Sequence, residues 1–296
     1  MVRQAKVETF FDPTTYAYSY VVSDPSAAVC AIIDSVLDYD PASGRVDTTS
    51  AQQIIDYVKT NALTVDWILD THVHADHLSA ARFLQRNLGG QTAMGGLVKQ
   101  VQQTFADVFH VEPEFASDGH QFDQLLSAES TLQVGNITGH VLETPGHTPA
   151  CVTYVFPGMA FVGDTLFMPD YGTARTDFPG GEAAALYRSI RRILALPEDT
   201  KLYLCHDYGT KERETFCNLT TVAEERANNV HIHDGVPLEA FVRLREARDK
   251  QLAAPKLLFP SVQFNMRGGA FPPAEDNGTR YFKIPLKTAA CGDLSE

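Results

Sequence analysis

The spacing of apolar positions changes period along the chain, and each change predicts an element. Thr15–Ser23 is aromatic and β-branched, and Ala27–Asp34 is a short apolar run. Both are bounded by Asp-Pro or Asp-Ser turn chemistry and read as strands. In Ser50–Thr60 the apolar residues Ile54, Ile55 and Val58 recur at helical spacing behind the cap region Thr48-Thr49-Ser50. Val65–Leu69 is the next predicted strand. After a polar motif comes a helix expected at Leu78–Asn87, which Asp76 and His77 would open and Gly89-Gly90 would end. Gly95-Gly96 punctuates the following segment, and His110–His120, polar and interrupted by Pro113, reads as loop.

β character returns over Leu132–Leu142, Val152–Phe156 and Met159–Val162. Ala183–Leu194 then patterns as a helix with a basic, solvated face of Arg188, Arg191 and Arg192. Lys201–Cys205 is a last strand. Val222–Asn228 and Leu238–Gln251 are helical, and a tail rich in Pro, Gly and Phe begins at Pro255. There is no internal repeat, and strands and helices intermix without strict βαβ alternation. That pattern favours an α/β fold of two sheets between helices over one doubly wound sheet. The expected organisation is a catalytic domain over residues 1–230 and a C-terminal extension, 231–296, packed on it.

Composition narrows the function. The chain has 296 residues, 44% apolar and 21% charged, as in soluble globular proteins. No apolar run approaches the roughly 20 residues of a membrane span, and the N-terminus lacks a secretory apolar core, so a cytoplasmic protein without membrane partners is expected. A net charge of −13 argues against nucleic acid. The cysteines, Cys30, Cys151, Cys205, Cys217 and Cys291, form no CxxC pair and read as reduced packing thiols. An oligomeric state is not written in the pattern, although a homodimer or higher homo-oligomer would suit the long tail.

The chemistry concentrates in Thr71-His72-Val73-His74-Ala75-Asp76-His77, where three imidazoles and a carboxylate follow a strand. These side chains bind borderline metals such as zinc and iron. In an extended loop, residues i and i+2 face the same way, so His72 and His74 can converge. Three more metal-type residues also sit just past apolar strands: His147 in Thr144-Pro145-Gly146-His147, Asp164 in Val162-Gly163-Asp164, and His206 in Leu204-Cys205-His206. The expectation is one metal site at a sheet edge, with Gly146 and Gly163 letting the backbone approach the ion. His231 and His233 repeat the spacing but lack partners and read as structural.

With HxHxDH followed by His, Asp and His, the chain resembles the metallo-β-lactamase superfamily over roughly residues 8–230. The resemblance implies a four-layer αβ/βα sandwich. Within the superfamily, Arg175-Thr176-Asp177-Phe178, His206-Asp207-Tyr208 and Asn265-Met266-Arg267-Gly268-Gly269 resemble the persulfide dioxygenases, which look like glyoxalase II. Tyr171-Gly172-Thr173-Ala174-Arg175 departs from the Cys-Gly-Arg pattern of that group, and the tail is longer.

The dioxygenase resemblance implies one Fe(II) on His72, His147 and Asp164, with glutathione persulfide and O2 as substrates and sulfite and glutathione as products. His74, Asp76, His77 and His206 then orient ligands, relay protons and hold water. The alternative is that these four bind a second metal, giving a dinuclear zinc or iron glutathione thioester hydrolase of glyoxalase II type. A glutathione substrate carries carboxylates, for which Arg175, Lys211 and Arg267 are candidates, with Tyr208 placed for a hydrogen bond near the thiol end.

Overall fold

A computed structural model describes residues 5–286; Cys291 lies outside them. One six-stranded sheet runs Lys6–Asp12, Ala17–Asp24, Val29–Ile33, Thr64–Leu69, Gln91–Gly95 and Gln124–Leu126. Its first three strands are antiparallel, and from Val29–Ile33 onward the pairs are parallel. The other six-stranded sheet runs Thr131–Val134, Ile137–Glu143, Val152–Phe156, Met159–Phe161, Lys201–Tyr203 and Leu219–Thr221. A small third sheet joins Arg45–Asp47, Val36–Asp40 and Leu78–Ser79.

The period-2 pattern decides which layer each side chain enters. Tyr20 and Val22 point between the two large sheets, against Leu132, Tyr154, Phe156 and Phe161. Val21 points the other way, beneath Ile54, Ile55 and Val58 of the helix Thr49–Thr60 and Leu84 of Ala81–Leu88. On the far side Leu186, Ile190 and Ile193 of Ala183–Ile193 cover Val155, Ala160 and Leu202. The result is the four-layer αβ/βα sandwich expected from the sequence. Among the described residues no helix is long and apolar enough to cross a membrane.

Several elements differ from expectation for identifiable reasons. The helix after the metal motif starts at Ala81, not Leu78, because Leu78 and Ser79 pair with Leu37 and Val36 in the small sheet. Asp76 and His77 therefore lie in irregular loop. Val98–Phe109 is a helix whose buried Val98, Val101, Phe105 and Phe109 keep helical spacing. The tail contains a helix, Leu258–Asn265, buried without an amphipathic stripe and carrying Pro260 in its first turn, so no period announces it. Arg191 is not merely solvated: it lies over the Tyr187 ring and donates to the carbonyls of His233 and Val236. Cys30, Cys151 and Cys205 are buried free thiols, and burial pushes Cys30 and Cys151 up to about 12.

His231 is buried, and its Nδ1 accepts the Thr173 N–H at 3.0 Å, while His233 is exposed. Burial, then the charges of Arg245 and Arg248, lower the His231 pKa to about 4. The unfolded chain binds that proton near pH 6.5, so the stability His231 contributes is complete above about 6.5 and is lost as pH falls toward 4. Between pH 7 and pH 5 the loss is about 2 kcal/mol. The Tm gap between wild type and His231→Gln, followed by calorimetry, should narrow or reverse over this interval; a constant gap would contradict this account.

Candidate metal centre

The C-terminal ends of the parallel strands deliver one half of the site. Val29–Ile33 leads to Asp34, and Thr64–Leu69 leads to Asp70 and the loop His72–His77. The second sheet supplies His147 after Ile137–Glu143, Asp164 after Met159–Phe161 and His206 after Lys201–Tyr203. The two halves are bonded together here. The Val152 N–H donates to Thr71 O (2.9 Å), the Tyr154 hydroxyl to Asp70 O (2.7 Å) and the Tyr18 N–H to Cys205 O (2.8 Å). The glycines serve this packing and not access to an ion: a Cβ on Gly146 (φ 140°) would lie 2.2 Å from Leu186 N, and one on Gly163 (φ 56°) 2.5 Å from Thr71 Oγ1.

All seven candidate ligands converge, in two adjoining groups. His72, His147 and Asp164 form one, and His74, Asp76, His77 and His206 the other; within each, the donor atoms lie within 4.8 Å of one another. Asp164 Oδ2 is 3.7 Å from His72 Nε2 and 3.7 Å from His147 Nε2, while its Oδ1 is 3.7 Å from His206 Nε2. Asp76 Oδ2 is 3.0 Å from His206 Nε2, and Asp76 Oδ1 is 3.3 Å from His77 Nδ1.

Hydrogen bonds behind the rings fix which nitrogen faces the centre. His147 Nδ1 donates to Arg175 O (2.8 Å), leaving Nε2 inward. Thr71 Oγ1 lies 3.0 Å from His72 Nδ1, which likewise leaves Nε2 inward. His74 is reversed: Nε2 faces Asp34 Oδ1 at 3.2 Å and Nδ1 is free. This leaves His72 Nε2 and His74 Nδ1 buried with no hydrogen-bond partner, and His77 Nε2, His206 Nε2 and Asp164 Oδ1 are likewise buried without one. Each such atom costs about 1–3 kcal/mol. An ion among them removes that penalty, so the donor set fits a metal.

The electrostatics agree with ligation. Burial holds His72, His74 and His147 below the usual imidazole range, hence neutral with a lone pair to offer. Burial pushes the Asp164 carboxyl up, and the neighbouring His206 opposes it. Burial would likewise raise Asp76, but His206, His77 and His74 hold it well below the usual carboxylate range.

The residues expected at a substrate separate into two sets. Arg175 and Tyr208 line a cavity of about 490 Å³ that reaches Asp76, His147 and Asp164. Tyr208 stacks parallel to His206 (5.4 Å between centroids) and donates to Asp76 Oδ2 at 3.2 Å. The Arg175 guanidinium is bidentate to Asp177. Arg267 lies outside this cavity: it is buried, donates two bonds to Glu112 and covers the Phe115 ring. Lys211 is exposed and is not part of the cavity wall. Instead Arg248 and Lys256 stand at its mouth, exposed and without an ion pair among the described residues.

Sequence reading also missed Asp34 and Asp70. Asp34 accepts the Thr71 N–H (2.7 Å) and hydroxyl (2.9 Å) besides facing His74. Burial, then the neighbouring Asp34, pushes Asp70 up to about 8, and it accepts the Ser79 hydroxyl. The one available signal was an Asp immediately after each of two apolar strands.

Comparison with known proteins is consistent with this centre. The profile of the Metallo-beta-lactamase superfamily matches residues 13–206. A probable metallo-hydrolase of Burkholderia pseudomallei is 53% identical over 95% of this chain and 98% of its own. Glyoxylase B2 of Dictyostelium discoideum is 47% identical over 97% and 98%. The mitochondrial persulfide dioxygenase ETHE1 of Bos taurus is 30% identical over 88% and 87%. Among solved structures, ETHE1 from Myxococcus xanthus superposes with a TM-score of 0.71 and 28% identity, covering 90% of this chain and all of that one.

A metal that binds only the folded centre stabilises it by mass action, about 2.7 kcal/mol at a hundredfold excess over Kd. Saturating the metal-stripped protein with Zn(II) should therefore raise Tm by roughly 5 °C or more in differential scanning fluorimetry. An unchanged Tm would mean that the seven residues do not form a metal site.

Proposed function

The chain belongs to the metallo-β-lactamase superfamily, and from the donor set at its centre we propose that it is an Fe(II)-dependent persulfide dioxygenase. The reaction takes glutathione persulfide, O2 and water to glutathione, sulfite and two protons, so the outer sulfur gives up the four electrons that O2 accepts. The observation that carries this reading is the compact face of His72, His147 and Asp164. His72, His147 and Asp164 would hold Fe(II) through two imidazoles and one carboxylate, and the ion would supply the redox chemistry between the sulfur and O2.

The chain's own residues do the rest. Phe167, Phe178 and Leu252 in the cavity wall exclude water from the reacting sulfur. Tyr208 holds a proton on Oη against Asp76 Oδ2, at the side where a persulfide would enter. Arg248 and Lys256 offer two free cations to the glutathione carboxylates. Arg175, already neutralised by Asp177, acts through its carbonyl, which orients His147.

A dinuclear thioester hydrolase is the second reading. The free Nδ1 of His74 and the second group of four ligands favour it, as do the names of the more similar relatives. Metal analysis with oxygen uptake separates the two. The dioxygenase carries about one iron per chain and consumes O2 only with glutathione persulfide. Two zinc ions, no O2 uptake, and release of glutathione from S-lactoylglutathione would sink it. His72→Ala and Asp164→Ala should abolish iron binding while His206→Ala spares most of it; equal loss in all three would favour a shared dinuclear site.

The cations at the mouth give a separate prediction. Arg248→Ala and Lys256→Ala should each raise KM for glutathione persulfide roughly fivefold, as expected for a solvated charge contact, with kcat little changed. With a persulfide that has no carboxylates KM should stay put; a parallel rise there would remove these residues from substrate binding.

A further inference from the structure

Asn265 lies at the end of the helix Leu258–Asn265, far along the chain from the metal loop and beyond the region the superfamily profile matches. Its side chain is 1% exposed and fully occupied. Nδ2 donates to His74 O and to His77 O, both at 2.8 Å, and Oδ1 accepts the Ser79 N–H at 2.8 Å. One amide thus pairs two carbonyls of the irregular metal loop and the N–H of Ser79, in the short strand that follows it, groups that would otherwise be costly to bury.

We infer that Asn265 is a positioning residue of the metal centre, its amide holding the His74–Ser79 backbone in the arch that aims His74, Asp76 and His77 inward. Two carbonyls three residues apart are drawn to one nitrogen, so the chain between them must bow away. Asp76, at the crown, is carried to the cavity, where it meets His206 and Tyr208. Only an amide of this length fits. A carboxylate would set one acceptor oxygen against both carbonyls, and an apolar isostere would leave three backbone groups unpaired.

The preceding helix, Leu238–Asp249, does the same for the opposite wall. Asp249 accepts the Thr176 N–H and hydroxyl, and Arg245 donates to Thr173 O. Between those anchors lies Arg175, whose carbonyl orients His147. The C-terminal segment is therefore a working part of the centre and not an appendage to it.

The test reads Zn(II) alone, so it stands whichever reaction the centre catalyses. Release of Zn(II) from the loaded protein to a chelator is timed for Asn265→Asp, Asn265→Leu and Asn265→Ser, together with hydrogen exchange over residues 72–80. Gln263→Ala is the control. It cuts the bonds of the same helix to Phe259 and Lys283 but none to the metal loop. The Asn265 variants should release Zn(II) roughly tenfold or more faster, in the range typical for lost outer partners of metal ligands, with faster exchange in the loop. Gln263→Ala should lower Tm and leave both rates near wild type. If Asn265→Leu does not fold, Asn265→Ser, which keeps one donor, gives the reading. Wild-type release from Asn265→Asp or Asn265→Ser, or equal acceleration by Gln263→Ala, would overturn the inference.

Discussion

Five imidazoles and two carboxylates are packed with their donor atoms a few ångströms apart and almost wholly out of water. Without an ion between them, burial strips hydration from groups that have nothing else to bond. Most of the surrounding architecture answers that constraint. Each ring must present a chosen nitrogen, and each loop must hold its place although its donors are reserved for the centre. Asp34, Thr71 and the Arg175 carbonyl satisfy the outward side of three of the rings, His74, His72 and His147. The glycines at 146 and 163 let a helix and Thr71 close in behind.

The same constraint draws the donors into two adjoining groups. His147 and Asp164 line the cavity together with Asp76, and its largely aromatic and aliphatic wall ends at a mouth that carries the exposed cations Arg248 and Lys256, in a chain of net charge −13. That local reversal of charge suits an anionic substrate. In the group of four, Asp76 lines the cavity and accepts from Tyr208 there, while His74 faces Asp34 behind. A metal held by His72, His147 and Asp164 would supply redox chemistry beside the cavity; a metal pair held by both groups would instead supply an activated water.

The convergence of the seven His and Asp residues was legible in the sequence because each follows an apolar strand, and a sheet edge gathers whatever follows its strands. The two-sheet sandwich was legible from period and from the lack of βαβ alternation. Asp34, Asn265 and the Arg245–Asp249 pair were not. Their roles depend on contacts across long chain separations, such as Asn265 to His74, and no local spacing encodes those. Arg267 misled for the same reason: an Arg near a glycine turn looks free until the fold sets Glu112 and Phe115 against it. The helix Val98–Phe109 did carry its period openly, whereas Leu258–Asn265, buried on all sides, had none to show.

X-ray absorption at the iron edge of protein loaded with iron tests the central claim most directly. The account predicts an ion with two imidazoles and oxygen donors and no metal neighbour. A metal scatterer at about 3.5–4 Å, the separation of two-metal sites, would contradict it and place both ligand groups in one dinuclear centre.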